Sequence, residues 1–333
     1  MSILYAREND AVRDNPPYAN GRAADIHITE RGSDFYYAIC ATMGFCGIVF
    51  LGCSLTKRRT DRIFFYLTAA INFTACVAYY SMGSNLGFTP IAVEFNPIDS
   101  HVHGMNRQVF WVRYVDWFIT TPLLLLDLFL TAGLPAPTIF WAIFMNELMI
   151  IMGLVGAVTK SGYKWGFFAF GCAAMFMVFY TLLFAGRKYA RHLGSDVSLA
   201  YLLPTVLLVL IWLCYPICWG VSEGGNIIAP DSEAVYYGVL DFVAKPVFSA
   251  LLLFFHRKID PARMGLKFRE YDEDFAIMAI QNGHNRHHHD RKDEAPALGE
   301  GVRASEAADR PVAGDGTTST HHDTVHNDAT HPA

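Results

Sequence analysis

The chain has 333 residues, of which 53% are hydrophobic and 17% are charged, whereas soluble domains usually carry about 25% charged residues. The formal net charge of −5 is spread along the chain, which argues against a nucleic-acid partner. Most charged residues lie in the terminal segments and in short connections between apolar stretches. This segregation excludes an ordinary soluble fold and is typical of a protein that crosses a bilayer several times.

Seven apolar stretches reach the length of about 20 residues that a helix needs to cross the hydrocarbon core. In chain order they are Phe35–Leu55, Ile63–Ser81, Val109–Thr131, Thr138–Val158, Trp165–Gly186, Leu199–Val221 and Val235–Phe255. The sequence therefore predicts an all-α membrane protein, a seven-transmembrane-helix bundle formed by residues 35–258. We expect an integral, multi-pass protein of the plasma membrane.

The basic residues predict the orientation of this bundle. Lys and Arg cluster in TKRRTDR after span one, GRKYARH after span five and HRKIDPARMGLKFR after span seven. Basic connections stay in the cytoplasm, so residues 1–34 are expected to be extracellular and residues 259–333 to form a cytoplasmic tail. The tail is polar and rich in histidine, and we expect it to be largely disordered. A solvated tail is favoured over a metal-binding one.

The seven cysteines all fall inside the apolar stretches. None has a nearby partner at the spacing of a metal-binding motif. We therefore predict no metal site and expect the thiols to be small, buried and unpaired.

Span three, FWVRYVDWFITTPLLLLDLFL, carries Arg113, Asp116 and Asp127. A charged group at this depth costs at least about 2.5–3.5 kcal/mol and is a functional candidate. Eleven helical steps bring the two carboxylates within ~20° of one face and ~16 Å apart along the axis. Thr120 lies between them on the same stripe. The alternative is two unrelated carboxylates, each hydrogen-bonded in the core.

Span seven carries Asp241 and Lys245 at a spacing of four, so they are neighbours on one helix face. A buried ion pair alone often fails to offset its own desolvation. A lysine in an apolar pocket can instead condense with an aldehyde to form a Schiff base. The protonated Schiff base then needs a carboxylate, which Asp241 or Asp116 could supply. We therefore predict that Lys245 carries an aldehyde cofactor.

The order of these groups gives a direction for proton transfer. If light changes where the Schiff base N–H points and how basic it is, a proton can pass outward to Asp116 and be replaced from Asp127. Asp116, beside Arg113, is expected to be ionised and able to accept a proton. Asp127 lies in the apolar stretch LLLLDLFL, which favours the protonated form that a proton donor needs.

Span six carries aromatic residues at helical spacing. Trp212, Tyr215 and Trp219 share a helix face around Pro216, and Trp117 lies on span three. An interfacial aromatic belt is one interpretation, and it suits Trp219 best. We favour rings that line a flat, apolar cofactor, with Pro216 bending the helix.

These segments resemble a known family. RYVDWFITTPLLLLDL, LDFVAKPVF, WLCYP and GLVGAVT closely resemble the microbial (type 1) rhodopsins over roughly residues 34–257, and YKWGFFAFGCAAM resembles the fungal, bacteriorhodopsin-like proton pumps. The resemblance implies all-trans retinal bound to Lys245 as a Schiff base. It also implies Asp116 as the primary proton acceptor, Asp127 as the cytoplasmic donor and Asp241 as the second counter-ion.

The resemblance assigns further positions. Arg113 matches the arginine that couples the Schiff base to the exit path, and Glu223 and Glu233 match the outer proton-release pair. Matching pocket positions are Trp117, Thr120, Thr121, Leu124, Met149, Gly153, Trp212, Tyr215, Pro216 and Trp219, and Tyr79 matches a tyrosine near the counter-ions. Departures from the archaeal pump are Asn146, Phe168, Gly171 and Cys172.

The implied function is a light-driven outward proton pump, an ion transporter and not an enzyme. Its expected partners are retinal, protons and the lipid bilayer, and the sequence is compatible with a homo-oligomer. A photosensory rhodopsin that signals through its cytoplasmic face is the alternative, and Asp127 argues against it because many sensors lack this carboxylate. A chromophore-free receptor is disfavoured, since LDLFLTAGLPAP lacks the acidic–Arg–aromatic triplet of hormone-type receptors.

Overall fold

Seven helices in the described part of the chain are long and apolar enough to cross a membrane. They are α1 (Glu30–Ser54), α2 (Ile63–Gly83), α3 (Trp111–Ala132), α4 (Ala136–Val158), α5 (Lys164–His192), α6 (Ser195–Gly224) and α7 (Pro230–His256). The number and order of the predicted spans are confirmed. The chain is an integral, multi-pass membrane protein.

The computed structural model describes residues 9–57, 62–93, 104–257 and 259–266. These residues belong to the first of two units, Met1–Asp274, and the second unit is Phe275–Ala333. The predicted cytoplasmic tail therefore lies outside the described residues from position 267 onward.

Several helices extend beyond the apolar stretches that predict them. α1 begins at Glu30, ahead of the predicted Phe35, and α6 covers Ser195–Gly224 where the prediction was Leu199–Val221. Thr29 caps α1 through its side-chain oxygen, as expected of an N-cap threonine. Hydropathy marks only the part of a helix that faces an apolar environment, so the polar end turns were missed.

Two short antiparallel hairpins were not predicted from the sequence. Their strands are β1 (Tyr18–Ala19), β2 (Arg22–Ala23), β3 (Thr89–Ala92) and β4 (Asn106–Val109). Asn20 and Gly21 turn the first hairpin with φ angles of 53° and 75°, as tight hairpin turns require. In the second hairpin, β4 leads almost directly into α3. The side chains of β4 therefore lie beside one end of the bundle.

The helices form a closed bundle in which α3 and α7 are the most buried spans. Helices that follow one another in the chain pack together, α7 packs against α1, and α3 also contacts α6. About 61% of the apolar window of α3 and 56% of that of α7 are buried, compared with 22% for α1 and α4. The charged residues of α3 and α7 can therefore face the protein interior.

The backbone of α7 changes its hydrogen-bond pattern at the lysine. A π-helical segment, Val243–Val247, contains Lys245 and Pro246. Proline has no N–H with which to continue the α-helical pattern, and such π segments are frequent at functional sites. Two further π-helical segments are Thr181–Gly186 in α5 and Gly220–Gly224 in α6.

The expectation that every cysteine is buried was wrong. None of the seven cysteines forms a disulfide, but only Cys218 is buried and Cys53 is exposed. Lipid tails are as apolar as a protein core. An apolar side chain on a membrane helix can therefore point outward, and sequence alone does not reveal which way it faces.

Gly186 marks a close contact between α5 and α6. A Cβ atom at this position would overlap the hydroxyl group of Tyr201, which donates a hydrogen bond of 2.7 Å to the carbonyl of Leu182.

Gly186→Ala should therefore destabilise the fold by about 1–3 kcal/mol, as overpacking usually does. Thermal denaturation of the purified protein in detergent measures this loss. Gly52→Ala is the matched control because a Cβ atom there meets nothing within 4 Å. Equal losses in both variants would contradict the prediction.

Candidate functional site

A cavity lies among α3, α4, α5, α6 and α7. The residues that line it are Tyr114, Trp117, Thr121, Leu124, Met149, Ile150, Gly153, Phe168, Gly171, Cys172, Met175, Trp212, Tyr215, Pro216, Trp219, Tyr237, Asp241, Ala244 and Lys245. Most of these side chains are aromatic or aliphatic, and few are polar. Such a cavity suits a small, largely apolar ligand.

The cavity collects almost all the residues that the sequence predicts to bind the cofactor. All of them line the wall except Thr120 and Tyr79. The hydroxyl of Tyr79 donates instead to Asp241. Thr120 is buried and its hydroxyl donates to the backbone carbonyl of Asp116 at 2.8 Å.

Several lining residues were missed, among them Tyr114 and Tyr237. Tyr114 precedes Trp117 by three positions and Tyr237 precedes Asp241 by four. Residues at these spacings share a helix face. Helical spacing from the predicted site residues was thus the signal that could have found both tyrosines.

Trp219 belongs to the cavity wall and not to an interfacial aromatic belt. Its side chain is buried, and its indole N–H donates to the carbonyl of Gly153 at 3.3 Å. The ring stacks on Phe168 with 5.0 Å between the ring centroids. Phe168, one of the departures from the archaeal pattern, therefore closes the same wall.

Lys245 lies between two carboxylates, one from α3 and one from its own helix. Its Nζ contacts Oδ2 of Asp116 and lies 3.3 Å from Oδ2 of Asp241. All three side chains are essentially inaccessible to solvent. At the cavity wall, the amine of Lys245 therefore lies between the carboxylates of Asp116 and Asp241.

The two carboxylates are bound unequally. Asp241 accepts hydrogen bonds from three neutral donors: Tyr79 Oη at 2.8 Å, Tyr215 Oη at 2.5 Å and Trp117 Nε1 at 3.2 Å. Asp116 contacts Lys245 through Oδ2, while its buried Oδ1 has no hydrogen-bond partner among the described residues. The oxygens of Asp241 are therefore bound by donors, whereas Asp116 keeps an unused oxygen.

Arg113 hydrogen-bonds to side chains of α1, α6 and α7. The sequence predicts this arginine beside Asp116, and in the structure its guanidinium donates to Glu233 at 2.6 Å and to Glu223 at 3.1 Å. It also donates to the hydroxyl of Tyr36 at 2.9 Å. The guanidinium thus links α3 to two glutamates at the ends of α6 and α7.

The two glutamates have different partners. Glu233 accepts a second charged hydrogen bond, 2.6 Å long, from Arg107 of β4. Glu223 is bound by hydroxyl groups, those of Ser222, Tyr237 and Tyr114 at 2.5, 3.1 and 3.3 Å. Arg107 was missed because it lies on a hairpin outside the predicted spans.

Asp127 stands apart from this network. It is fully buried, and neither of its carboxylate oxygens has a hydrogen-bond partner among the described residues. Helix geometry places it ~16 Å from Asp116 along the axis, toward the other end of α3. Leu124 and Leu128, close to Asp127 in the sequence of α3, belong to the hydrophobic core.

Comparison with known proteins identifies the family. A family model described as "Bacteriorhodopsin-like protein" matches residues 31–259. This chain belongs to the bacteriorhodopsin-like family of microbial rhodopsins. The family implies a retinal chromophore and light-driven ion transport, and the predicted resemblance is confirmed.

Individual relatives extend the comparison. The chain is 54% identical to the opsin-like protein carO of Fusarium fujikuroi over 299 residues, which are 90% of this chain and 97% of that protein. The crystal structure of the light-driven proton pump CsR of Coccomyxa subellipsoidea is 34% identical with a TM-score of 0.65, covering 69% of this chain and 98% of its own. Halorhodopsin, a light-driven chloride pump, is 28% identical with a TM-score of 0.63, covering 68% and 95%. Pumps for two different ions share this fold, so the ion must be argued from side chains.

Proposed function

We propose that this protein is a light-driven outward proton pump that holds all-trans retinal as a Schiff base on Lys245. The observation that carries the proposal is the unequal pair of carboxylates around Lys245 Nζ. Asp241 is held by three neutral donors, whereas Asp116 has a buried oxygen without a partner among the described residues. One carboxylate can thus remain an anion while the other accepts a proton.

The residues of the cavity fit the chromophore. Rings and aliphatic side chains form its wall, and the amine of Lys245 lies on that wall. When bound, retinal supplies light absorption and a light-driven change in the direction and basicity of the N–H at Lys245 Nζ. The site supplies the proton acceptor, the fixed negative charge and a shell that keeps bulk water away.

The outward half of the path begins at Lys245 Nζ. Its proton passes to Asp116, while Asp241 remains charged because its oxygens are already bound by donors. Beyond Asp116, the guanidinium of Arg113 connects to Glu223 and Glu233, the two carboxylates from which a proton leaves. The proposed orientation puts this end outside, since Lys and Arg concentrate in the connections at the opposite end.

The inward half depends on Asp127. A buried carboxyl group with apolar neighbours favours the protonated form, so Asp127 can return a proton to Lys245 Nζ. Carboxyl groups on opposite sides of Nζ, one able to accept and one able to donate, provide the direction of transport.

The charges near Lys245 favour protons over chloride as the transported ion. The amine is already flanked by Asp116 and Asp241. A chloride ion at the same place would set a third negative charge against one cation, and like charges at such distances repel strongly at low dielectric.

Steady illumination of cells that carry the retinal-loaded protein should acidify an unbuffered medium, and a protonophore should abolish the change. Replacing chloride by sulfate in the medium should leave the acidification unaltered. A coloured protein that produces no pH change would overturn the proposal in favour of a photosensor. Alkalinisation would overturn the outward direction.

A further inference from the structure

A second cavity lies at the end of the bundle where α7 terminates. Lys57, which follows α1, and Arg257, which follows α7, contribute to its wall. His256 also lines this cavity but is buried, with its ring centroid 4.4 Å from that of Phe64. A titratable ring thus stands between a cation-lined cavity and the protein core.

The hydrogen bonds of His256 assign the roles of its two ring nitrogens. Nδ1 lies 2.7 Å from the carbonyl oxygen of Leu252, and because a carbonyl oxygen only accepts, Nδ1 carries a hydrogen. Nε2 lies 2.9 Å from Oγ1 of Thr131 on α3. Nε2 is therefore the nitrogen that gains and loses a proton.

Thr131 connects this ring to Asp127. Its hydroxyl lies 2.7 Å from the backbone carbonyl of Asp127, one helical turn away, and side chains at this spacing share a helix face. A hydroxyl group has a single hydrogen. When His256 is neutral, Nε2 and the carbonyl compete for that hydrogen. When His256 is protonated, Nε2–H donates to Oγ1 and leaves the hydroxyl hydrogen available on the Asp127 side.

We propose, building on the pump function above, that His256 is the group through which protons from the second cavity reach Asp127. A solvent proton binds Nε2 of the neutral ring. The Nε2–H bond then breaks as its proton moves to Oγ1 of Thr131. The carboxylate of Asp127 has no hydrogen-bond partner among the described residues. Once ionised, it turns toward Thr131, one helical turn away, and accepts the original hydroxyl proton. The imidazole returns to neutral, and the only net change is one proton moved from solvent to Asp127.

The charges around the His256 ring favour transfer of its proton toward Asp127. Lys57 and Arg257 line the same cavity, and a lasting positive charge on His256 would be repelled by both. Asp127, once ionised, is the negative charge that lies beyond Thr131, while Phe64 presents an uncharged ring. A proton on His256 is therefore favoured to move toward Asp127.

Proton uptake after a laser flash, followed with a pH-indicator dye on the full-length, retinal-loaded protein, tests the proposal. His256→Asn should slow uptake by about tenfold or more, since a positioned acid–base group contributes at least that much. His192→Asn is the matched control, because His192 is exposed, and it should behave as the unmodified protein. Free imidazole should accelerate uptake in His256→Ala but not in His192→Ala, a rescue that a purely structural role does not give.

Two outcomes distinguish this inference from the pump function itself. If the unmodified protein shows no light-driven proton release or uptake, the pump proposal fails. If it pumps, and His256→Asn takes up protons at the unmodified rate, only the role of His256 is overturned.

Nitrogen NMR of the unmodified protein in the dark supplies a test that does not depend on pumping or on the folding of a variant. The His256 signals should show hydrogen on Nδ1 and a titrating Nε2. A neutral ring with hydrogen on Nε2 would contradict the proposed relay.

Discussion

Lys245→Ala should abolish the visible colour that all-trans retinal gives the unmodified protein. Lys245 supplies the only amine among the described residues that line the cavity between α3, α4, α5, α6 and α7. Without it the aldehyde has no nucleophile with which to condense. The measurement is the visible absorption spectrum after addition of retinal to the purified protein, and the expected loss is complete.

A loss of colour caused by misfolding must be distinguished from one caused by the missing amine. Removing Lys245 leaves Asp116 and Asp241 buried without their cation, and breaking a buried pair in this way commonly costs about 3–5 kcal/mol. Lys245→Arg retains a positive charge but cannot form the Schiff base, so it should also be colourless. Lys160→Ala removes an exposed lysine and should stay coloured. Colour in either Lys245 variant would contradict the assignment of the linkage.

Asp116→Asn should reduce light-driven acidification by at least about a hundredfold, the lower end of what acid–base groups contribute. An amide cannot accept the proton that leaves Lys245 Nζ. Retinal should still bind, because Lys245 and Asp241 remain. The absorption maximum should change, since a negative charge that contacts Nζ is lost. Light-induced pH change and absorption spectrum, measured on one preparation, separate these two effects.

A carboxylate elsewhere in the membrane provides the control for Asp116→Asn. Glu147 lies on α4, is partly buried, does not line the Lys245 cavity and accepts a hydrogen bond of 3.2 Å from Asn146. Glu147→Gln should acidify the medium as the unmodified protein does. Acidification by Asp116→Asn at the unmodified rate would remove this residue as the proton acceptor.

The relation of Asp241 to Lys245, and of Asp116 to Asp127, could be predicted from the sequence because each pair lies on one helix. Helical periodicity alone places such residues on a common face. The seven spans were predictable for a similar reason, since hydropathy is a local property. The short hairpins were not, because strands of two to four residues carry too little periodic pattern, and Arg107 was missed with them.

The sequence by itself determined the number of spans, the depth of the charged residues and the pairing of Lys245 with a carboxylate. Only the tertiary structure decided which carboxylate keeps an unused oxygen, because the donors to Asp241 come from α2, α3 and α6. It also joined Arg113 to the two glutamates and brought Thr131 to His256. Residues far apart in the chain meet only when helices pack, and the periodicity of a single helix carries no information about its neighbours.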